Sequence, residues 1–176
     1  MKIINLSETD TIVNQYVAEL RDVCYQGNRL LFRNNISRVG EMEAYEISKT
    51  LCYEEREVTT PLGTSRVRVP ADGIVLFHNG FLNVFDHAAC AFVSAYREYT
   101  NKEHTEVGIH VEYLATPSIE GKTLVIADPM LATGCSMEMA YKAFLTRGEP
   151  RHIHVACVLA TPDGIEHVRR TLPAEK

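Results

Sequence analysis

Asp128 with Pro129, and then Thr133, Gly134, Cys135 and Ser136, are the residues of this chain whose types and order could do chemistry. An acid after an apolar run, followed by two hydroxyls around a glycine and then by a helical pattern, is an arrangement for holding an anion. Backbone N–H groups at a helix start have no partner inside the helix, and the aligned peptide dipoles leave partial positive charge there. A glycine lets the backbone approach closely, Thr133 and Ser136 can donate hydroxyl hydrogen bonds to phosphate oxygens, and Asp128 can accept from sugar hydroxyls. The same T-G-x-S string also reads as no more than a loop and a helix cap.

Two elements must position these residues. Leu124, Val125 and Ile126 form the short apolar run of a strand buried on both faces, expected to stop at Asp128-Pro129. Downstream, Met137, Ala140, Tyr141 and Phe144 recur at helical spacing, and Gly148 reads as the C-cap. A second strand is expected from His152 to Leu159.

The string D-P-M-L-A-T-G-C-S, followed by that helix, that strand and A-T-P-D-G-I, resembles the 5-phosphoribosyl-1-pyrophosphate (PRPP) binding segment of uracil phosphoribosyltransferases. Upstream, Leu20-Arg21-Asp22, Phe32-Arg33, Arg38-Val39-Gly40-Glu41, Tyr45-Glu46 and Thr60-Pro61-Leu62-Gly63 are similar to the family's amino-terminal pattern. Ala95-Tyr96-Arg97 stands where its leucine-tyrosine-arginine segment does. The resemblance implies an α/β fold of the phosphoribosyltransferase type: a mainly parallel sheet flanked by helices, with an N-terminal helical region and a β-hairpin arm. It implies one domain over residues 1–176, the helical region at about 8–52 and the core at about 57–172.

The implied activity is that of a glycosyltransferase of pyrimidine salvage, converting PRPP and uracil to uridine monophosphate (UMP) and pyrophosphate. Magnesium is implied on the pyrophosphate, with no metal site of the protein's own. Asp128, Pro129, Met130, Leu131, Ala132, Thr133, Gly134, Cys135, Ser136 and Arg97 are the implied PRPP contacts, with Asp128 and Arg97 in the catalytic roles. A homodimer is also implied.

The chain departs from the family pattern twice. The family's isoleucine-leucine-arginine-alanine-glycine loop, which cradles pyrophosphate after a buried strand, has no good match: either Val75 to Gly80 is its degraded form, or strand and loop are deleted. The short spacing from Gly80 to Arg97 favours deletion. The glycine-aspartate-alanine segment that reads uracil is also unmatched. Impaired activity, a non-catalytic nucleotide binder and an incomplete family member are therefore the alternatives to a fully active enzyme.

A length of 176 residues with 45% hydrophobic content suits one domain with a real core. A net charge of −5 without a basic cluster argues against nucleic-acid binding. Cys24, Cys52, Cys90, Cys135 and Cys157 show no zinc spacing, and reduced thiols in a cytoplasm are expected. Cys135, in the anion loop, reads either as an oxidisable thiol or as a plain small residue. Neither a signal peptide nor a transmembrane run is read, so no membrane partner is expected.

Ser7 and Asp10 predict a cap for a helix through Ile12, Val13, Tyr16, Val17 and Leu20, and Leu31 to Leu51 predicts a longer helix interrupted near Gly40. Arg21, Arg33 and Arg38 read as solvated residues paired with Asp22 or Glu41. Alternation on either side of Pro61-Leu62-Gly63 predicts a hairpin, and Ile74 to Phe77 a strand. A helix is expected over Phe81 to Ala88 and a strand over Ala91 to Ala95. Glu98 to Thr105 is expected as an exposed connection in an arm between Arg97 and His110, before a strand through Ile109, Val111 and Tyr113. His152 and His154 would share one strand face.

Overall fold

A computed structural model of the chain describes residues 1–76, 79–99 and 107–173. The amino-terminal part is helical. Helix α1 (Ile12–Arg21) is followed by the single turn α2 (Val23–Gln26) and by α3 (Arg29–Ser48). The cap of α1 is Thr11, whose side chain accepts from the Val13 N–H, rather than Ser7; Ser7 lies in a separate turn capped by Asn5. Helix α3 runs unbroken through Gly40, which is buried. Val13, Leu20, Val39 and Ala44 are buried, and the α1–α3 contact adds a polar chain in which Glu19 accepts from Asn35 at 2.6 Å and Asn35 accepts from Arg38 at 3.0 Å. Arg38 also sits over the Tyr16 ring at 5.3 Å. The expected pairing with Asp22 or Glu41 is replaced: Asp22 caps α2, and Glu41 accepts from Asn83.

Strands β1 (Tyr53–Thr60) and β2 (Gly63–Pro70) pair antiparallel around Pro61 and Leu62. Gly63 has φ +130°, a value that side-chain-bearing residues avoid, which ties this turn to glycine. The hairpin is exposed along almost its whole length, only Val58 and Val69 being half-buried.

The core is a four-stranded parallel sheet. Strand β3 (Ile74–Leu76) is fully buried and leads to the short α4 (Asn79–Leu82) and to β4 (Ala89–Cys90). The helix expected from Phe81 to Ala88 ends at Leu82; beyond it the chain makes separate turns closed by Val84 N–H to Phe81 O and Ala88 N–H to Phe85 O. Strand β5 (Phe92–Tyr99) pairs antiparallel with β6 (Val107–Ala115), forming the arm; most of its expected polar connection, residues 100–106, lies outside the described residues. Then come β7 (Thr123–Leu131), α5 (Cys135–Phe144), β8 (His152–Ala160) and α6 (Pro162–Thr171).

The sheet order is β4-β3-β7-β8. Alternation along β7 fixes its two faces: Leu124 and Ile126 pack with Met137, Tyr141, Phe144 and Val168 from α5 and α6, whereas Val125 packs with Ala44 of α3, Leu76, Phe81 and Ala156. Deletion of the buried strand before α4 is corrected by β3, which pairs with β7 from Ile74↔Thr123 to Leu76↔Val125. The following connection is short: α4 begins at Asn79, so only residues 77 and 78, outside the described ones, lie between.

Candidate functional site

The expected end of β7 at Asp128-Pro129 is also corrected. The strand continues to Leu131, pairing with β8 from Asp128↔Cys157 to Leu131↔Ala160, and Pro129 is the position skipped in that register. β3 leaves β7 after Val125, so the missing Pro129 N–H costs no bond to β3. Asp128 bends the chain locally, its Oδ1 accepting from the Met130 N–H at 3.0 Å, which leaves Oδ2 for another donor.

Beyond Leu131 the chain turns through Ala132 and Thr133 to Gly134, the N-cap of α5. Gly134 has φ +77°, and a Cβ there would lie 2.9 Å from Gly164 O and 3.0 Å from His167 Cβ. Both the backbone conformation and the space require glycine. No side chain caps this helix end, and the Glu138 N–H to Gly134 O bond, 3.1 Å, is the first bond back to the cap. The N–H groups of Cys135, Ser136 and Met137 precede it at the positive end of a helix of ten residues. Thr133 and Ser136 are exposed beside them, and the Cys135 thiol lies 3.9 Å from Thr133 O.

The β8–α6 junction holds this turn. Thr161 donates through its backbone N–H to Leu131 O, 3.0 Å, and through its hydroxyl to Ala132 O, while the hydroxyl accepts from the Gly164 N–H at 3.0 Å. A Cβ on Gly164 would meet both the Leu131 and Ala132 carbonyls at 2.7 Å. The A-T-P-D-G segment is thus a brace whose close backbone approach needs glycine at 164.

Asp128 and Ser136 both line a cavity of about 220 Å³ between β7, α5 and the start of β5, whose other walls include Val125 to Ala127, Phe92, Val93, Met137, Ala140 and Phe144. Thr133 and Gly134 stand at its helix start, and Pro129 and Met130 are exposed on the strand extension. The Leu131 side chain belongs to the core, 4% exposed, and the Leu131 and Ala132 carbonyls are engaged by Thr161, so these two residues shape the turn. Arg97 is on β5 opposite Ile109. It lies four residues past Val93, roughly 13 Å along an extended strand.

Glu138 and His167 are the site-building residues missing from the sequence reading, which quoted Thr161 and Gly164 within A-T-P-D-G-I without giving them a role. Thr161 before Pro162 carried a legible signal, a cap with proline at the first helical position. The pairing of Glu138 with His167 across two helices had none.

Burial controls ionisation at groups on and beside β8. Burial without a partner among the described residues pushes the Glu43 carboxyl of α3 up to about 7. Burial, followed by the negative charges of Glu43 and Asp128, pushes the Cys157 thiol up to about 11, keeping it protonated and unreactive. His154 is lowered by burial and by His152. Among the described residues no three His, Cys, Asp or Glu side chains gather as a metal set, and no helix is long and apolar enough to cross a membrane.

Comparison with known proteins adds to this geometry. Residues 7–176 match the family described as uracil phosphoribosyltransferase. The chain is 50% identical over 182 residues to a uracil phosphoribosyltransferase of Porphyromonas gingivalis, covering 98% of this chain and 83% of that one. Those 182 aligned positions exceed the 176 residues present, so the relative has residues without a counterpart here. A uracil phosphoribosyltransferase of Pyrobaculum islandicum is 33% identical over 178 residues, covering 93% of this chain and 82% of that one. Among solved structures, the AQ2163 protein of Aquifex aeolicus superposes with a TM-score of 0.78 at 28% identity, covering 96% of this chain and 81% of that chain.

Proposed function

The chain belongs to the uracil phosphoribosyltransferase family of pyrimidine salvage glycosyltransferases, and on that premise we propose that its substrates are PRPP and uracil and that the turn at the start of α5 holds the 5-phosphate of PRPP. The observation that carries the reading is the uncapped α5 start, with Gly134 in the left-handed conformation and the Thr133 and Ser136 hydroxyls exposed beside it. The N–H groups of Cys135, Ser136 and Met137 would bind phosphate oxygens. Asp128, with one oxygen free, would accept from the ribose hydroxyls, and Arg97 would neutralise pyrophosphate from the arm.

In this transfer the bond from the anomeric carbon to pyrophosphate breaks, its electron pair leaving with pyrophosphate, and a bond to a uracil nitrogen forms as that nitrogen loses its proton. Positive charge grows on the ribose and negative charge on the leaving group, so fixed charges and orientation carry the rate. Magnesium would enter on the pyrophosphate as part of the substrate and offset its charge. The free Oδ2 of Asp128 suits a ribose hydroxyl or a magnesium-bound water equally.

The finer part of the proposal concerns rate. No arginine or lysine stands between Leu76 and Arg97, so the short connection after β3 offers the departing pyrophosphate no cationic side chain. A cation there would act on charge that develops only as the bond breaks, so its absence lowers kcat more than affinity. One domain, a homodimer and a cytoplasmic setting complete the reading. The exposed apolar residues Val23, Leu30 and Leu62, at 83%, 64% and 101%, and the exposed β1–β2 hairpin support a partner chain.

Conversion of labelled uracil to UMP by the purified protein with PRPP and magnesium tests both parts. Product formation is expected, lowered at least ~10-fold by Thr133→Ala, with kcat lower by at least ~100-fold than that of the Porphyromonas gingivalis relative assayed alongside. No product at any enzyme concentration would refute the activity, and an equal kcat would refute the argument from the short connection.

A further inference from the structure

The first turn of α5 is fastened to α6 through side chains outside the proposed substrate contacts. His167 Nε2 and Glu138 Oε2 stand 2.7 Å apart, and the other oxygen of Glu138 accepts from Lys142 Nζ at 2.6 Å. His167 also touches the turn itself: its Cβ and Cδ2 lie 3.0 Å from the place a Cβ on Gly134 would occupy. The imidazole therefore meets the left-handed glycine on one side and the Glu138 carboxylate on the other. With its proton on Nε2 it donates to that carboxylate in either charge state.

Glu138 needs such partners if α5 is to hold an anion. It is the fourth residue of α5, where a carboxylate is favoured by the helix dipole but repels a phosphate bound at the same helix start. Lys142 first and His167 second hold its carboxyl below the usual range, so it is a carboxylate whose charge these partners oppose.

We propose that His167 and Glu138 are a positioning pair for the phosphate-binding turn, His167 seating Gly134 against α6 and engaging the Glu138 carboxylate so that the turn accepts phosphate without His167 touching it. The proposal rests on the reading of Thr133 to Ser136 as the phosphate loop. It explains why α6 and its N-cap, which line none of the cavity, bring Thr161, Gly164 and His167 to one turn.

Calorimetric titration of ribose 5-phosphate into the full chain tests it, with thermal melting of each variant alongside. His167→Ala is expected to bind about tenfold more weakly than wild type, equivalent to ~1.4 kcal/mol. Adding Glu138→Gln to His167→Ala is expected to recover at least half of that loss on a logarithmic scale, because the carboxylate left with Lys142 alone to oppose its charge has gone. His167→Gln, whose amide can donate, is expected to stay within about threefold of wild type. A merely structural His167 would give losses that follow the melting temperature and are not rescued by the second substitution. Binding by His167→Ala within twofold of wild type, or a double variant no better than the single one, would overturn the proposal. Thr133→Ala with Ser136→Ala separates the two readings. If it binds like wild type, or if wild type does not bind at all, the phosphate loop itself is refuted and the positioning pair with it. If it loses binding while His167→Ala does not, only the positioning pair falls.

Discussion

Replacing Glu43 by glutamine should stabilise the protein in a way that depends on pH. Glu43 lies half-buried on α3, facing the sheet, and has no hydrogen-bonding or ionic partner among the described residues. Its carboxyl is raised from 4.5 to about 7 by burial. Because the folded value lies above the unfolded one, the neutral acid fits the fold: the favourable contribution is full below about 4.5 and is lost as pH rises through about 7. Above that range the protein must keep a poorly solvated carboxylate or rearrange around it. Each pKa unit is worth 1.36 kcal/mol, and partial exposure discounts the whole, so the cost at pH 8 is roughly 2–3 kcal/mol. Glutamine keeps the shape and cannot ionise. Urea unfolding of both proteins at pH 4 and pH 8 should give nearly equal stabilities at the lower pH and an advantage of roughly 2–3 kcal/mol for Glu43→Gln at the higher. An advantage of the same size at both values would refute the reasoning, since it would mean that packing rather than ionisation distinguishes the two side chains.

Two further outcomes follow from the site. Gly134→Ala should cost about 2–4 kcal/mol in urea unfolding and abolish UMP binding, because a Cβ at φ +77° would also lie 2.9 Å from the Gly164 carbonyl; a fully stable variant would contradict the described turn. Arg97→Ala should weaken PRPP by roughly 1.5–3 kcal/mol in calorimetry and leave UMP nearly unchanged, since only PRPP carries pyrophosphate; parallel losses would assign Arg97 to the fold.

What the sequence displayed and what it concealed divide along the range of the interactions. The strand, glycine turn and helix around Asp128 to Phe144 were readable because each depends on local periodicity or on a single special residue. The two-sided burial of Leu124 to Ile126 likewise followed from an uninterrupted apolar run. The extension of β7 past Pro129 was not readable, because proline is tolerated only where the neighbouring strand has already left, and that depends on the length of β3. Gly40 looked like a helix breaker, yet it sits buried in an unbroken α3, a case of tertiary packing overriding propensity. The brace from Thr161 to Ala132 and the pair formed by Glu138 and His167 each join residues 29 positions apart, and no local pattern encodes which helix faces which turn.

Phosphate held at the start of α5 is the central claim. Calorimetric titration of UMP into the wild type and into Thr133→Ala with Ser136→Ala measures this directly, because UMP carries the ribose 5-phosphate without the pyrophosphate that would involve the arm. Saturable binding to the wild type is predicted, with at least ~100-fold weaker binding to the double variant at unchanged melting temperature, each of the two hydroxyl contacts to a charged group contributing about 1.5 kcal/mol or more. Equal affinity of the two proteins for UMP would contradict the claim.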